Sequence, residues 1–217
     1  MSGSVSVSGT NSIAGGVVGY QTGGFLTGCS SSATVNAGGV AGGVAGLTDS
    51  GATLTACYAT GDVTLESINS GGNFVGGVVG SNTSCTLKAC YAWGSVTGSG
   101  SGTIYVGGVT GTNDEGTLTA CYHANETVSG PAGTTGGVTG RNFKILTWDG
   151  AVITACYWRS NPDTGIGYNE GGSTTIETTK VTDGDWQNAV TQMNAALQNA
   201  GSEWRYELTG ELPTLKK

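Results

Sequence analysis

The side chains of this chain best suited to chemistry are six cysteines, a single histidine and 15 carboxylates. Five of the cysteines close similar runs: Leu26-Thr27-Gly28-Cys29-Ser30, Leu54-Thr55-Ala56-Cys57-Tyr58, Leu87-Lys88-Ala89-Cys90-Tyr91, Leu118-Thr119-Ala120-Cys121-Tyr122 and Ile153-Thr154-Ala155-Cys156-Tyr157. A zinc site needs a set of nitrogen and sulfur ligands at characteristic spacing. No Cys-x-x-Cys pair occurs and His123 has no second histidine to join it, so no metal is expected. An even cysteine count in a secreted chain suggests disulfides. Here, however, Cys29, Cys57, Cys90, Cys121 and Cys156 hold one and the same place in a repeat, where neighbouring side chains point alike and five members cannot all pair. They are expected to form a structural ladder of buried free thiols that act as small hydrophobes. Cys85, just before Leu87, lies outside that ladder and is expected to be exposed.

Glycan-cleaving chemistry requires two positioned carboxyl groups. The candidates Asp62, Asp114-Glu115 and Glu126 fall at turns, and none recurs in register with another. With one histidine there is little scope for a Ser-His-Asp relay. No catalytic residue and no cofactor is expected. The paired glycines lack the following helix and Lys-Ser/Thr of a phosphate loop, and the recurrent aspartate of calcium-binding repeats. The aromatic residues are more suggestive. Tyr58, Tyr91, Tyr122 and Tyr157 each follow a ladder cysteine, with Trp93 and Trp158 close by. Stacked aromatics of this kind provide contact area for sugar rings or a partner protein. Repeated residues in solenoids more often serve stacking itself, here by packing against neighbouring rungs and covering the coil edge.

What must position these residues is a two-part repeat. Gly15, Gly42, Gly76, Gly107 and Gly136 each open a Gly-Gly-Val/Thr-type segment, and successive copies are 27, 34, 31 and 29 residues apart. Such periods belong to solenoids and propellers. From the first glycine to the cysteine the distance is 14, 15, 14, 14 and then 20 residues, so the joining segment is framework and the rest is loop. Each copy offers three strand-sized pieces: the glycine-pair segment, the Leu-to-Tyr run, and a segment around Val35, Val63, Val96 or Val128. Short strands between Gly and Asn turns can close one coil of a solenoid, with coils stacked at roughly 4.8 Å. Glycine is needed there either for positive φ or for close backbone approach. Strict alternation would put Leu and Cys on opposite faces. A bend at the small Ala or Gly between them would turn both inward and let the tyrosines lean outward near a corner.

The 217 residues include 41 glycines but only three prolines and no Gly-X-Y triplet, which excludes collagen. With eight scattered basic residues and a net charge of −7 there is no nucleic-acid footprint. No apolar run is long enough to span a bilayer, so direct membrane insertion is not expected. Gly3-Ser4-Val5 stands before its glycine pair much as Gly94-Ser95-Val96 stands before Gly107, as if the chain starts inside a repeat and is a fragment of a longer protein.

The last copy carries an insertion with Phe143, Ile145, Trp148 and Asp149-Gly150, which reads as a small protruding hairpin. Residues 161–172 read as loop. Asp183 is positioned to cap a helix over about 183–200, with Trp186, Val190, Met193 and Leu197 on one face and Gly201 ending it. Terminal strands follow. The expected fold is mainly β: a parallel β-solenoid (β-helix) of about five coils over 1–160, and a small α+β cap over 161–217 closing its open end.

The recurring Gly-Gly-Val-x-Gly with Leu-x-Ala-Cys-Tyr-Ala-x-Gly-x-Val resembles the GLUG motif repeats of bacterial surface and secreted proteins. The ending Trp204-Arg205-Tyr206 through Leu212-Pro213-Thr214-Leu215 is similar to the tail of such proteins in gut Bacteroidetes. The resemblance implies a parallel solenoid, a cell-surface or extracellular setting, and an adhesin-like module whose partner is a host or matrix protein or a glycan. It also implies kinship with immunoglobulin A peptidase-like proteins. Their peptidase needs His-Glu-x-x-His, which this sequence does not contain.

Overall fold

The computed structural model describes residues 3–68, 71–124, 127–144, 151–159, 161–170, 175–182 and 184–217. Its strands stack in parallel into four sheets that together form a β-solenoid of about five turns, followed by one helix and an antiparallel hairpin. Like residues lie above like. The first sheet aligns Val5, Val35, Val63, Val96 and Val128. In the second, the column is Gly15, Gly42, Gly76, Gly107 and Gly136. The fourth aligns Leu26, Leu54, Leu87, Leu118 and Ile153, and beside them Ser30, Tyr58, Tyr91, Tyr122 and Tyr157.

A coil has more corners than the three expected strands allow. The glycine pair does not lie in the middle of a strand; its first member ends a strand of the second sheet and its second opens the corner into the third, as between strands Gly72–Gly76 and Val79–Thr83. A Cβ on Gly107 would sit 2.0 Å from the Thr110 carbonyl oxygen and 2.7 Å from the Gly140 nitrogen. Backbone proximity therefore demands glycine at that corner.

The Leu-to-Tyr run is likewise split by a corner, and left-handed backbone makes it. Gly28, Ala56, Ala89, Ala120 and Ala155 have φ of 65°, 55°, 54°, 51° and 49°. One residue in this conformation breaks the alternation of sides. Leu54, Leu87 and Leu118 then share the interior with Cys57, Cys90 and Cys121, while Ala89 and Ala120 face outward with the tyrosines.

One column escaped the sequence reading. In the third sheet, Thr48 Oγ1 donates to Asn82 Oδ1 at 2.9 Å. Asn82 Nδ2 donates to Asn113 Oδ1 at 2.8 Å, Asn113 to Asn142 at 3.2 Å and Asn142 to Asn169 at 3.0 Å. Each buried amide thus satisfies the next, as burial of polar groups requires.

The stack also continues beyond the fifth coil. Residues 161–172, expected as loop, contain the strand Ile166–Glu170, which lies on Thr139–Phe143; Thr175–Val181 lies on Val152–Arg159. Gly165-Ile166-Gly167 reproduces the corner with a single residue between glycines: a Cβ on Gly136 would lie 2.6 Å from the Gly167 nitrogen, just as one on Gly107 meets Gly140.

The helix is Trp186–Asn199, N-capped by Asp185, whose carboxylate accepts from the Asn188 amide. The expected cap Asp183 lies outside the described residues. Trp186, Val190, Met193 and Leu197 are buried, but against the tyrosine flank of the fourth sheet and not across the solenoid's end. Lys88 Nζ donates to the Ala200 carbonyl at the helix C-terminus, a favourable place for a cation. Trp204 then lies over Gly28 of the first coil, and Arg205–Glu207 pairs with Thr214–Lys216. Helix and hairpin together clasp the side of the rod.

Candidate functional site: an aromatic column with one open end

Three rings of the tyrosine column, Tyr58, Tyr91 and Tyr122, form a stack. Ring centroids are 4.7 Å apart and 3° from parallel between Tyr58 and Tyr91, and 4.9 Å and 10° between Tyr91 and Tyr122. In-register strands place these rings one strand spacing apart, close to the offset stacking distance aromatics prefer. The expectation of an outward-facing binding patch is corrected for most of its members. Tyr91, Tyr122 and Tyr157 retain only 3%, 0% and 6% of their surface, because helix and hairpin cover them. Tyr206 stands edge-on to Tyr91 and Tyr122, and Trp186 tilts against Tyr122. Tyr122 donates to the Pro213 carbonyl and accepts from Trp93 Nε1 at 2.9 Å, and Tyr206 donates to the Ala120 carbonyl, whereas the buried Trp186 Nε1 has no partner. Burial pushes the phenols of Tyr91, Tyr122 and Tyr206 up, so they remain protonated.

Trp158 is also removed from the patch, in the opposite direction. It belongs to the interior cluster and donates from Nε1 to the Pro162 carbonyl at 2.8 Å. Its ring fills the space that a side chain on Gly137 would need, 2.1 Å away. In the same column stand Ala59, Ala92 and His123. His123 is fully buried; Nε2 bonds the Gly94 carbonyl at 3.0 Å and Nδ1 has no partner. Burial lowers its pKa to about 4.

Tyr58 and Trp93 are the members that stay half-exposed. Tyr58 has Tyr91 on one face, and on its other side the register position is occupied by Ser30. A cleft of about 500 Å³ opens there, lined by Ser30, Ser31, Tyr58, Thr60, Trp93, Thr214 and Leu215 among others. It falls in the range of about 300–1,000 Å³ typical of small-molecule sites. Its floor is an aromatic ring and its walls carry hydroxyls from the first two coils and from the hairpin.

The ladder cysteines lie inside, each thiol directed at backbone carbonyls: Cys57 at Leu26 and Thr55, Cys90 at Leu54 and Lys88, Cys121 at Leu87 and Thr119. Cys29, on the outermost coil, is half-buried, and Cys156 is buried. Hydrogen bonding with Cys90, then burial, raises the Cys57 thiol, and burial raises Cys90 and Cys121, which keeps them from the thiolate form. Cys85, expected exposed, is 2% exposed, because the turn that carries it is itself stacked: its carbonyl accepts from the Thr117 amide of the next coil.

The carboxylates are held apart in structural roles. Asp114 receives Arg141 Nη2 at 2.9 and 3.0 Å and Thr112 Oγ1 at 2.5 Å. The Arg141 guanidinium also lies over Phe74, Tyr105 and Phe143. Asp62 accepts from the Ser95 amide at a corner, and Glu115 occupies a left-handed turn at φ 56°. Glu126, and Ile145, Trp148 and Asp149-Gly150 of the expected hairpin, lie outside the described residues; Phe143 ends a third-sheet strand. No group of three or more potential metal ligands is found among the described residues.

No family model matches the chain, and no curated protein matches it either. Among solved structures it is similar to the crystal structure of a putative immunoglobulin A1 protease from Bacteroides ovatus, with a TM-score of 0.53 and 14% identity. The likeness covers 99% of this chain and 66% of that one, so the chain spans just under two thirds of its neighbour's length and shares its fold.

Proposed function

We propose that this chain is a non-enzymatic extracellular module of the GLUG-motif kind, a stiff scaffold that attaches to a host or matrix protein or glycan through its flank. The observation that carries the reading is how the repeated side chains are used. The valine, leucine, cysteine and asparagine columns are all consumed in holding coil to coil, and of the carboxylates first considered for catalysis Asp62 is bonded at a corner and Asp114 is held by Arg141. What faces outward is rich in Ser and Thr, with exposed Tyr20, Phe25 and Tyr168 and a cleft beside Tyr58. A rigid surface suits binding, because little order must be imposed on association. Retention of bead-coupled protein on immobilised matrix proteins, mucin and a glycan array tests this. Retention on at least one surface is expected; none on any, or hydrolysis of a glycan or protein by the purified chain, defeats it. A second reading is supported by the shared fold with the Bacteroides ovatus protein: the chain would then be a non-catalytic part of a protease-like protein, holding that protein on its target.

A further inference from the structure

The aromatic column stops one ring short. Tyr122, Tyr91 and Tyr58 stack in sequence, and the next register position, where another tyrosine would continue the ladder, is Ser30. A serine side chain leaves the place of a whole six-membered ring empty above Tyr58. The hairpin does not fill it; Thr214 and Leu215 line the cleft together with Ser30 and Thr60. Trp93, fixed by its bond to the Tyr122 hydroxyl, forms a second aromatic wall.

We propose that this vacancy is a binding site for a single neutral pyranose residue of a glycan, stacked on Tyr58. The inference rests on the reading of the chain as a binding scaffold and supplies its ligand class. The exposed face of a phenol ring is electron-rich and attracts the weakly positive C–H bonds of a sugar face. The equatorial hydroxyls of a sugar lie near the ring's plane and point sideways, towards a cleft lining to which the hydroxyl residues Ser30, Thr60 and Thr214 belong. A flat aromatic ligand would gain from Tyr58 but leave these hydroxyls desolvated without partners, which costs affinity. No acidic or basic side chain lines the cleft, so neither a uronic nor an amino sugar is favoured over a neutral one.

The test is saturation-transfer NMR and titration with methyl β-glucoside, methyl β-galactoside and methyl β-N-acetylglucosaminide, alongside an array carrying both free polysaccharide fragments and glycoprotein glycans to separate those two sources. Ser30→Tyr is the decisive variant, since it completes the ladder with the residue the other coils use and so preserves the fold while filling the site. Tyr58→Ala removes the floor, with circular dichroism and a melting curve to show that the rod persists. Binding of at least one pyranoside by the native chain, weakened at least tenfold by both substitutions, is expected. Binding to no sugar, or sugar binding that Ser30→Tyr leaves unchanged, overturns the proposal, as does preference for a planar aromatic such as indole over every pyranoside. Retention of Ser30→Tyr protein on matrix proteins tests the scaffold reading separately, because that variant lacks only the cleft.

Discussion

His123 is the only histidine in the chain and is fully buried in the solenoid. Because the Gly94 carbonyl can only accept, Nε2 carries the ring proton, and the unpartnered Nδ1 holds a lone pair. Protonation would place a second N–H, and a charge, where no acceptor waits. Burial accordingly lowers the pKa to about 4 from its ordinary 6.5. The unfolded chain takes up a proton near pH 6.5 while the folded chain declines it until about pH 4, so the neutral ring's stabilisation is complete above pH 6.5 and is lost as the pH falls. At 1.36 kcal/mol per pK unit, linkage predicts a loss of about 2 kcal/mol by pH 5 and about 3 kcal/mol by pH 4. For a chain of this size the loss at pH 5 lowers the melting temperature by roughly 4–8 °C. The carboxyls of Asp163 and Glu207, held low by hydrogen bonds from Lys180 and Lys216, add their own loss of stability as the pH falls through the ordinary carboxylate range, so the His123 slope is read between pH 7 and 5. Urea unfolding at pH 7, 6 and 5, with His123→Ala as comparison, measures the slope. Alanine is what Ala59 and Ala92 already supply in that column, so the variant loses some packing but should also lose the pH dependence. The sole imidazole gives one unambiguous NMR titration. A ring that titrates above pH 6, or parallel loss of stability in wild type and His123→Ala, refutes the reasoning.

Asn113→Ala deprives Asn82 Nδ2 of an acceptor and Asn142 Oδ1 of a donor, and should cost about 2–4 kcal/mol in urea unfolding. Asn113→Asp should be at least as damaging at pH 7 yet recover on acidification, since a buried carboxylate facing the Asn142 carbonyl oxygen regains stability when it binds a proton. Gly107→Ala meets backbone on two sides and should cost roughly 3 kcal/mol or more, whereas Gly19→Ala, whose nearest new neighbour is 3.5 Å away, should change stability by less than about 1 kcal/mol. Iodoacetamide followed by mass spectrometry should label Cys29 first and Cys57, Cys90, Cys121 and Cys156 only after unfolding; labelling of Cys90 in the folded rod would contradict the raised, buried thiols.

The coil was legible because its framework repeats. Identical residues at a nearly constant interval from glycine to cysteine require identical environments, and the small residue between Leu and Cys betrayed the bend that turns both inward. The asparagine ladder was missed because Asn82, Asn113 and Asn142 sit near glycines and look like turn residues; only stacking reveals that each amide's partner is the same residue one coil away. The partial sixth coil hid behind one missing glycine. Burial of the tyrosines could not be read at all, since their cover is a non-repeating helix and hairpin far along the chain, and no periodicity in the coils announces what will lie against them.

That cover decides what the rod can offer a partner. Left bare, a stack of tyrosines along one flank would be a broad apolar stripe of the kind that drives non-specific association. Helix and hairpin remove Tyr91, Tyr122 and Tyr157 from solvent and leave only the Tyr58 end open. On the proposed reading, recognition through the column is confined to the Tyr58 end, and its specificity comes from the shape of a single cleft rather than from the repeat. A single shallow site of this kind binds weakly. Strong attachment then requires several rods displayed together, where tethering raises the effective concentration of each further contact and avidity exceeds the single-site affinity by roughly 10²–10⁴. A stiff, stacked support would suit that arrangement, because it fixes the attitude of the cleft relative to the rest of the chain.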